Sequence, residues 1–232
     1  MELSNSYAVI LADPPWKYRV YDDSDARHGA AAAHYPTMTA REIAALPVAR
    51  LAHPNAALFL WATMPCLQEA LEVMRAWGFT YKTVAFTWVK LTRGGALYLG
   101  LGHYTRGNAE LCLLGIRGRM RRKSARVSQI IIAPRREHSR KPEEQYERIM
   151  QLFDGPYLEL FARRRWPGWD AWGLDLDPAC ADRLVSDTPD LYGEDARAVR
   201  EQLVRLRSPE QRERAAKRRE FFAGVAKAGL DL

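Results

Sequence analysis

The apolar positions along the chain fall in short, dense runs separated by polar stretches. Residues 7–12 (YAVILA) form an almost unbroken apolar run that stops at Asp13. A run of that length reads as a strand buried on both faces of a parallel sheet. Residues 57–61 (ALFLW) repeat the pattern. Residues 80–90, rich in Thr, Val, Phe and Trp, predict a further strand. Residues 109–116, 129–133, 157–162 and 171–174 predict the rest. Helical spacing appears in between. Thr39 or its neighbour opens a helix over 40–46, with Glu42 in its first turn. From Pro65, the residues Leu67, Ala70, Leu71, Met74 and Trp77 recur at helical steps up to Gly78. Pro142 opens a helix through Phe153. Polar residues 17–38 and the five glycines in residues 92–107 mark long loops, and residues 117–126 form a basic one. Strands alternating with helices predict an α/β sheet with helices on both faces. From Glu194 onward the chain is charged, helix-prone and poor in large apolar residues. This divides it into a catalytic domain, 1–178, and a basic, mainly helical extension, 179–232.

Composition narrows the chemistry. Of 232 residues, 47% are hydrophobic, enough for a core without staples. Cys66, Cys112 and Cys180 stand far apart, and the five histidines have no cysteine at finger spacing. Neither a disulfide framework nor a metal site is expected; the cysteines read as thiols in a reducing compartment. Glu2, Ser4 and Asn5 interrupt any early apolar run, and none approaches the roughly 20 residues of a membrane span. A soluble, cytoplasmic protein without membrane contact is expected. The formal net charge of +7 favours an anionic partner, nucleic acid first, although a general solubility charge would look the same.

The tetrapeptide Asp13-Pro14-Pro15-Trp16 ends the first strand. Ligands of open α/β sheets bind beyond the carboxyl ends of strands. Two prolines fix φ and remove two backbone donors, so their carbonyls and the Asp13 carboxylate form a rigid set of acceptors. Such a set suits a planar amine with two N–H bonds, and an aromatic ring offers a stacking face for a base. An adenine amine is a poor nucleophile because its lone pair is delocalised into the ring. Acceptors that hold both protons favour a more tetrahedral nitrogen, so catalysis is mostly positioning and electrostatics. A proline turn with a strand-end aspartate is an equally good reading of the tetrapeptide alone. By spacing alone, Lys141 reads as helix-start charge, Glu159 as a solvent-facing strand residue and Phe161 as core.

The ordered segments along the chain resemble the MT-A70 family of adenine methyltransferases. The likeness runs from Asp13-Pro14-Pro15-Trp16 through Tyr35-Pro36-Thr37-Met38, Leu58-Phe59-Leu60-Trp61 and Trp88-Val89-Lys90. It continues with Gly102-His103-Tyr104, Glu110, Cys112-Leu113-Leu114-Gly115 and His138-Ser139-Arg140-Lys141-Pro142. Glu159-Leu160-Phe161-Ala162-Arg163 and Gly168-Trp169-Asp170-Ala171-Trp172-Gly173 close it. The resemblance implies a class I methyltransferase sheet in permuted order, the catalytic strand first and the cofactor strand late. It implies S-adenosylmethionine as cofactor, with Asp13, Pro14, Pro15 and Trp16 at the target amine. Lys141 would meet the cofactor carboxylate. Glu159, Phe161, Arg163, Gly173 and Asp175, with Asp13, would complete the cofactor site. Tyr35, Lys90, His103, Tyr104 and Glu110 would face the target nucleotide. Three departures stand out. The family's upstream cofactor-contacting aspartate has no counterpart in residues 1–12, Leu174 replaces a common Asn, and Arg164-Arg165-Trp166 differs.

Three basic groups are candidates for phosphate contact: the loop carrying Arg121, Arg122 and Lys123; Arg135, Arg136 and Arg140; and Arg212, Arg214, Lys217, Arg218 and Arg219 in the extension. Glu210, Glu213 and Glu220 make the last equally a solvated helix with internal ion pairs. The first two groups flank segments expected near the site. The compact build, with no recognisable RNA module, favours DNA over RNA, and a homodimer stays open as an assembly. Cytosine N4 methylation would suit Ser at the first motif position and Tyr at the fourth. A non-catalytic nucleic-acid-binding scaffold fits poorly with the persistence of Asp13, Trp16 and Lys141. A nucleotide hydrolase or kinase lacks its phosphate loop.

Overall fold

A computed structural model describes residues 6–18, 37–102, 104–136 and 140–173. Among these residues seven strands form one sheet: β1 (Tyr7–Ala12), β2 (Ala52–Ala62), β3 (Thr80–Leu91), β4 (Ala109–Arg117), β5 (Ile130–Pro134), β6 (Tyr157–Leu160) and β7 (Trp169–Trp172). Their spatial order is β5-β3-β4-β2-β1-β6-β7. The sheet is parallel except for β4, which runs antiparallel to both β2 and β3.

The apolar runs of β1 and β2 serve two cores at once. Ile10, Ala12, Leu58 and Leu60 point to one face, where Ile43, Val73, Met74 and Trp77 cover them. Val9, Leu11, Phe59 and Trp61 point to the other, against Tyr146, Ile149 and Phe153. A strand covered on both sides has no polar face, which is why these runs show no alternation. The helices are α1 (Ala40–Ala44), α2 (Val48–Leu51), α3 (Leu67–Ala76) and α4 (Glu144–Leu152). Thr39 and Glu42 close a reciprocal capping box on α1. A 3-10 turn, Met64–Cys66, leads into α3. Gly78, with φ of 81°, ends α3, and Phe79 N–H returns to the Met74 carbonyl at 3.0 Å.

Most predicted elements lie within a residue or two of their places; α2 is not among those predicted, and two further differences matter for the site. β2 begins at Ala52, earlier than its dense apolar run. β6 stops at Leu160 because Phe161 takes a left-handed backbone, φ 61°, and turns the chain out of the sheet. The helical extension expected over 179–232 lies outside the described residues, as does Cys180; Cys66 and Cys112 are buried free thiols. No helix among the described residues is long and apolar enough to cross a membrane.

The chain leaves β1 towards β2 on one side and leaves β6 towards β7 on the other. The crevice beyond the carboxyl ends of β1 and β6 is thus a topological switch point, where open α/β sheets hold ligands.

Candidate active site

Asp13 begins the turn at the end of β1, and the two prolines stop the strand there. The Pro14 carbonyl accepts the Trp16 N–H at 2.9 Å, and the Pro15 carbonyl accepts the Met38 N–H at 2.8 Å. Lys17 N–H returns to the Met38 carbonyl at 2.9 Å, so the turn is fastened to the segment before α1. Trp16 corrects the expectation of an open stacking face. Its ring is 4% exposed, inside the core, and its indole N–H donates to the Trp61 carbonyl at 2.9 Å. A large apolar ring beside Met38 and the end of β2 gains more from burial than from exposure. Trp16 therefore holds the turn in place.

Beside this turn runs a chain of alternating charges. Lys141 Nζ lies 2.7 Å from Asp13 Oδ2 and 3.1 Å from Glu110 Oε2, and Lys90 Nζ lies 2.5 Å from Glu110 Oε1. Lys141 also sits over the Trp61 ring, 5.5 Å from its centroid, while the Trp61 indole N–H donates to Gln145 Oε1 at 2.7 Å. Burial opposes a charge on Lys141, but Asp13 and Glu110 outweigh it and raise its pKa, so it stays an ammonium. Burial would likewise push Glu110 up, yet the Lys141 and Lys90 ammoniums hold it below an ordinary glutamate. Burial pushes the Asp13 carboxyl up, and Lys141 opposes that rise.

The facing wall comes from β6. Both carboxylate oxygens of Glu159 lie within reach of the Tyr146 hydroxyl, at 3.1 and 3.0 Å. Burial lifts Glu159 to about 7, against the Tyr146 hydrogen bond, and Asp13 adds to the rise. Glu159 is therefore no solvent-facing strand residue. Tyr146 is stacked on Trp166 with centroids 4.4 Å apart. Leu11, Asp13, Lys141, Tyr146, Glu159 and Phe161 line one cleft together with Arg140, Arg163 and Arg164. Gly173 lies where β7 ends. A Cβ there would come within 2.0 Å of the Ala162 carbonyl oxygen, so only glycine lets the two chains approach this closely.

The structure thus gathers Asp13, Lys90, Glu110, Lys141, Glu159, Phe161 and Arg163 at one end of the sheet. Glu110 braces Lys141, and Lys90 in turn pairs with Glu110. Tyr104 is fully exposed. The loop of Arg121, Arg122 and Lys123 is a second correction. β4 runs antiparallel, so Arg117 pairs with Ala56 near the start of β2, at the end of the sheet away from Asp13. Lys123 there bonds the Leu152 carbonyl at 2.7 Å and Asp154 at 2.5 Å, beyond the carboxyl end of α4. Seven residues along β4 from Glu110 amount to roughly 24 Å. Tyr35, His103 and Asp175 lie outside the described residues. Trp61, Gln145, Tyr146, Glu143 and Arg164 were not singled out by pattern. Tyr146 and Trp61 carry a core signature, and only the fold shows that their polar ends meet Glu159 and Gln145. Among the described residues, no group of three or more His, Cys, Asp or Glu could hold a metal ion.

Comparison with known proteins bears on the same residues. A family model described as MT-A70 matches residues 7–175. The chain is 33% identical over 187 residues to the type II methyltransferase M.MunI of a Mycoplasma species, covering 73% of this chain and 78% of that protein. It is 32% identical over 199 residues to the N(6)-adenosine-methyltransferase MT-A70-like protein of Arabidopsis thaliana, covering 81% of this chain and 26% of that one. Human N(6)-adenine-specific methyltransferase METTL4 is 28% identical over 194 residues, with 74% and 38% covered. The chain spans most of the Mycoplasma protein and well under half of the two eukaryotic ones. The family match begins at the first residue of β1 and runs past the end of β7, taking in every strand that builds the cleft, and the chain belongs to the MT-A70 family.

Proposed function

We propose that the chain is an S-adenosylmethionine-dependent methyltransferase that acts on the exocyclic N6 of adenine in DNA. The observation that carries this reading is the ion pair of Lys141 with Asp13 at 2.7 Å, which joins the acceptor turn after β1 to the cleft of Glu159. The donor set of that cleft fits the cofactor. Glu159 offers a carboxylate to ribose hydroxyls, Lys141 and Arg163 offer cations to an α-carboxylate, and Leu11 and Phe161 offer apolar surface. When bound, the cofactor supplies an electrophilic sulfonium methyl.

The chain's own residues do the rest. The Asp13 carboxylate and the Pro14 carbonyl accept the two amine protons and turn the nitrogen lone pair away from the ring. The Pro14 carbonyl takes the Trp16 N–H on one lone pair and keeps the other. Trp16 and Met38 hold this turn rigid, so little ordering is left for the reacting complex. Lys141 keeps Asp13 ionised for binding, while burial raises Asp13 towards accepting the proton that the methylated nitrogen sheds. A target in duplex must first leave the base stack.

DNA is supported by the relative named a type II methyltransferase, which this chain spans over most of its length. RNA is the second reading, supported by a 26% identical N6-methyladenosine RNA methyltransferase MTA1 of Cryphonectria parasitica. Labelled cofactor offered with matched DNA and RNA, single and double stranded, followed by nucleoside digestion, tests both. N6-methyladenine in DNA is expected, and Asp13→Ala should abolish it while nucleic-acid binding persists. Methylcytosine as the product, or full activity in Asp13→Ala, would overturn the reading.

A further inference from the structure

Glu143, the residue before α4, gathers three arginines on one carboxylate oxygen. Arg136 Nη1 lies 2.6 Å from its Oε1, Arg140 Nη2 2.5 Å and Arg164 Nη1 2.8 Å. Three guanidiniums share this one carboxylate, and Arg164 also faces Glu159, so the group keeps a net positive charge. Like charges held this close repel, and a structural ion pair needs only one of them. The Nε of Arg140 is buried and, among the described residues, has no hydrogen-bond partner. A buried donor without an acceptor is costly, so it points to an acceptor that arrives with a ligand. Arg140 and Arg164 also line the cleft that holds Asp13 and Glu159. The amino end of α4 adds its own partial positive charge here.

We infer that Arg136, Arg140 and Arg164, gathered on Glu143 beside the cleft, form the site for a backbone phosphate of the nucleic acid next to the target adenine. Each guanidinium spends only part of its fork on Glu143; Arg136 and Arg140 keep further N–H groups for phosphate oxygens, while Arg164 also bonds Tyr146. Glu143 acts as a template that holds three long side chains convergent before the phosphate arrives, lowering the ordering cost of binding. The inference rests on the proposed action on nucleic acid. It also gives Arg164, in the stretch where the chain departs from its family, a contact with the polymer beside its place in the cleft wall.

The test measures binding of a labelled DNA duplex to the full chain between roughly 50 and 200 mM salt. Arg136→Ala is the chosen variant because Arg136 is half-exposed and does not line the cleft. The slope of log affinity against log salt should fall by about 0.9, and affinity should drop several-fold at the low-salt end. Arg136→Lys should recover most of the slope. Cofactor affinity, read by calorimetry, should stay within about twofold of wild type, since the cluster neutralises phosphate alone. An unchanged slope in Arg136→Ala overturns the phosphate site while wild-type methylation of DNA leaves the functional reading standing. Lost cofactor affinity with an unchanged slope assigns the cluster to the cofactor half and also overturns it. A wild-type chain that neither binds nor methylates nucleic acid removes the functional reading and the site together.

Discussion

At the residue scale, Glu110 shows how much a buried carboxylate can organise. Two lysines lean on it, at 2.5 and 3.1 Å, and through Lys141 it reaches Asp13. Glu110→Ala would leave Lys90 and Lys141 facing each other in a poorly hydrated site. A loss of about 1–3 kcal/mol in urea unfolding is expected, because part-buried Lys90 loses its carboxylate while Lys141 keeps Asp13. Glu159 allows a pH test. Its carboxyl titrates at about 7 in the folded chain against 4.5 for an ordinary glutamate. Between those values the folded state binds the extra proton, so the contribution of Glu159 to stability declines as pH rises from about 4.5 through 7. Ribose hydroxyls donate to an ionised carboxylate, so cofactor affinity should change in the opposite sense. Calorimetry at pH 6 and pH 8 should show about a tenfold gain at the higher pH, and Glu159→Gln should flatten it. Asp13 and Lys141 were both legible as candidates in the sequence. Their ion pair was not, because 128 residues separate them and no local pattern reports a contact of that range.

At the element scale, the end of β6 decides the shape of the cofactor wall. Pattern alone carries the strand through Ala162, since YLELFA alternates well. The left-handed Phe161 breaks it, and a non-glycine residue in that conformation has no sequence signature. Residues held so are often stabilised by their surroundings at functional sites, and Phe161 packs edge-on against Trp172 with centroids 6.2 Å apart. Gly173 belongs to the same closure. Gly173→Ala would drive a methyl group into the Ala162 backbone, where no flexible side chain can yield. A loss of roughly 1–3 kcal/mol in denaturant unfolding is expected, with weaker cofactor binding as the wall shifts. Helix ends, by contrast, read directly from sequence. Thr39 with Glu42, and Gly78 after Trp77, satisfy exposed backbone groups with side chains and turns that are local by nature.

At the scale of the whole molecule, strand direction controls which basic surface can serve the site. The runs that become β2 and β4 look alike, because a strand buried on both faces reads the same whichever way it points. Antiparallel β4 sends Arg121, Arg122 and Lys123 to the far end of the sheet, whereas parallel β5 returns the chain to the site end just before Arg135 and Arg136. Neutralising Arg121 and Arg122 to alanine should therefore leave the salt dependence of DNA binding within about 0.3 of the wild-type slope, because neither residue can reach the phosphate beside Asp13. Anisotropy titration over a salt series measures it, and a fall near 0.9 would place nucleic acid across the far end of the molecule.

Local pattern was enough for most of the elements, for the two-sided burial of β1 and β2, for the acceptor turn at Asp13 and for the family. These follow from local periodicity, from proline and glycine geometry, and from ordered motifs, all of which survive without knowledge of the fold. Strand order and direction, not local pattern, set Trp16 in the core, Glu110 against Lys141, half-buried Glu159 against Tyr146, and Arg140 and Arg164 in the lining of the cleft. Those outcomes depend on strand order and direction, which bring residues far apart in the chain to one end of the sheet. Burial and charge pairing then fix what each of them can do.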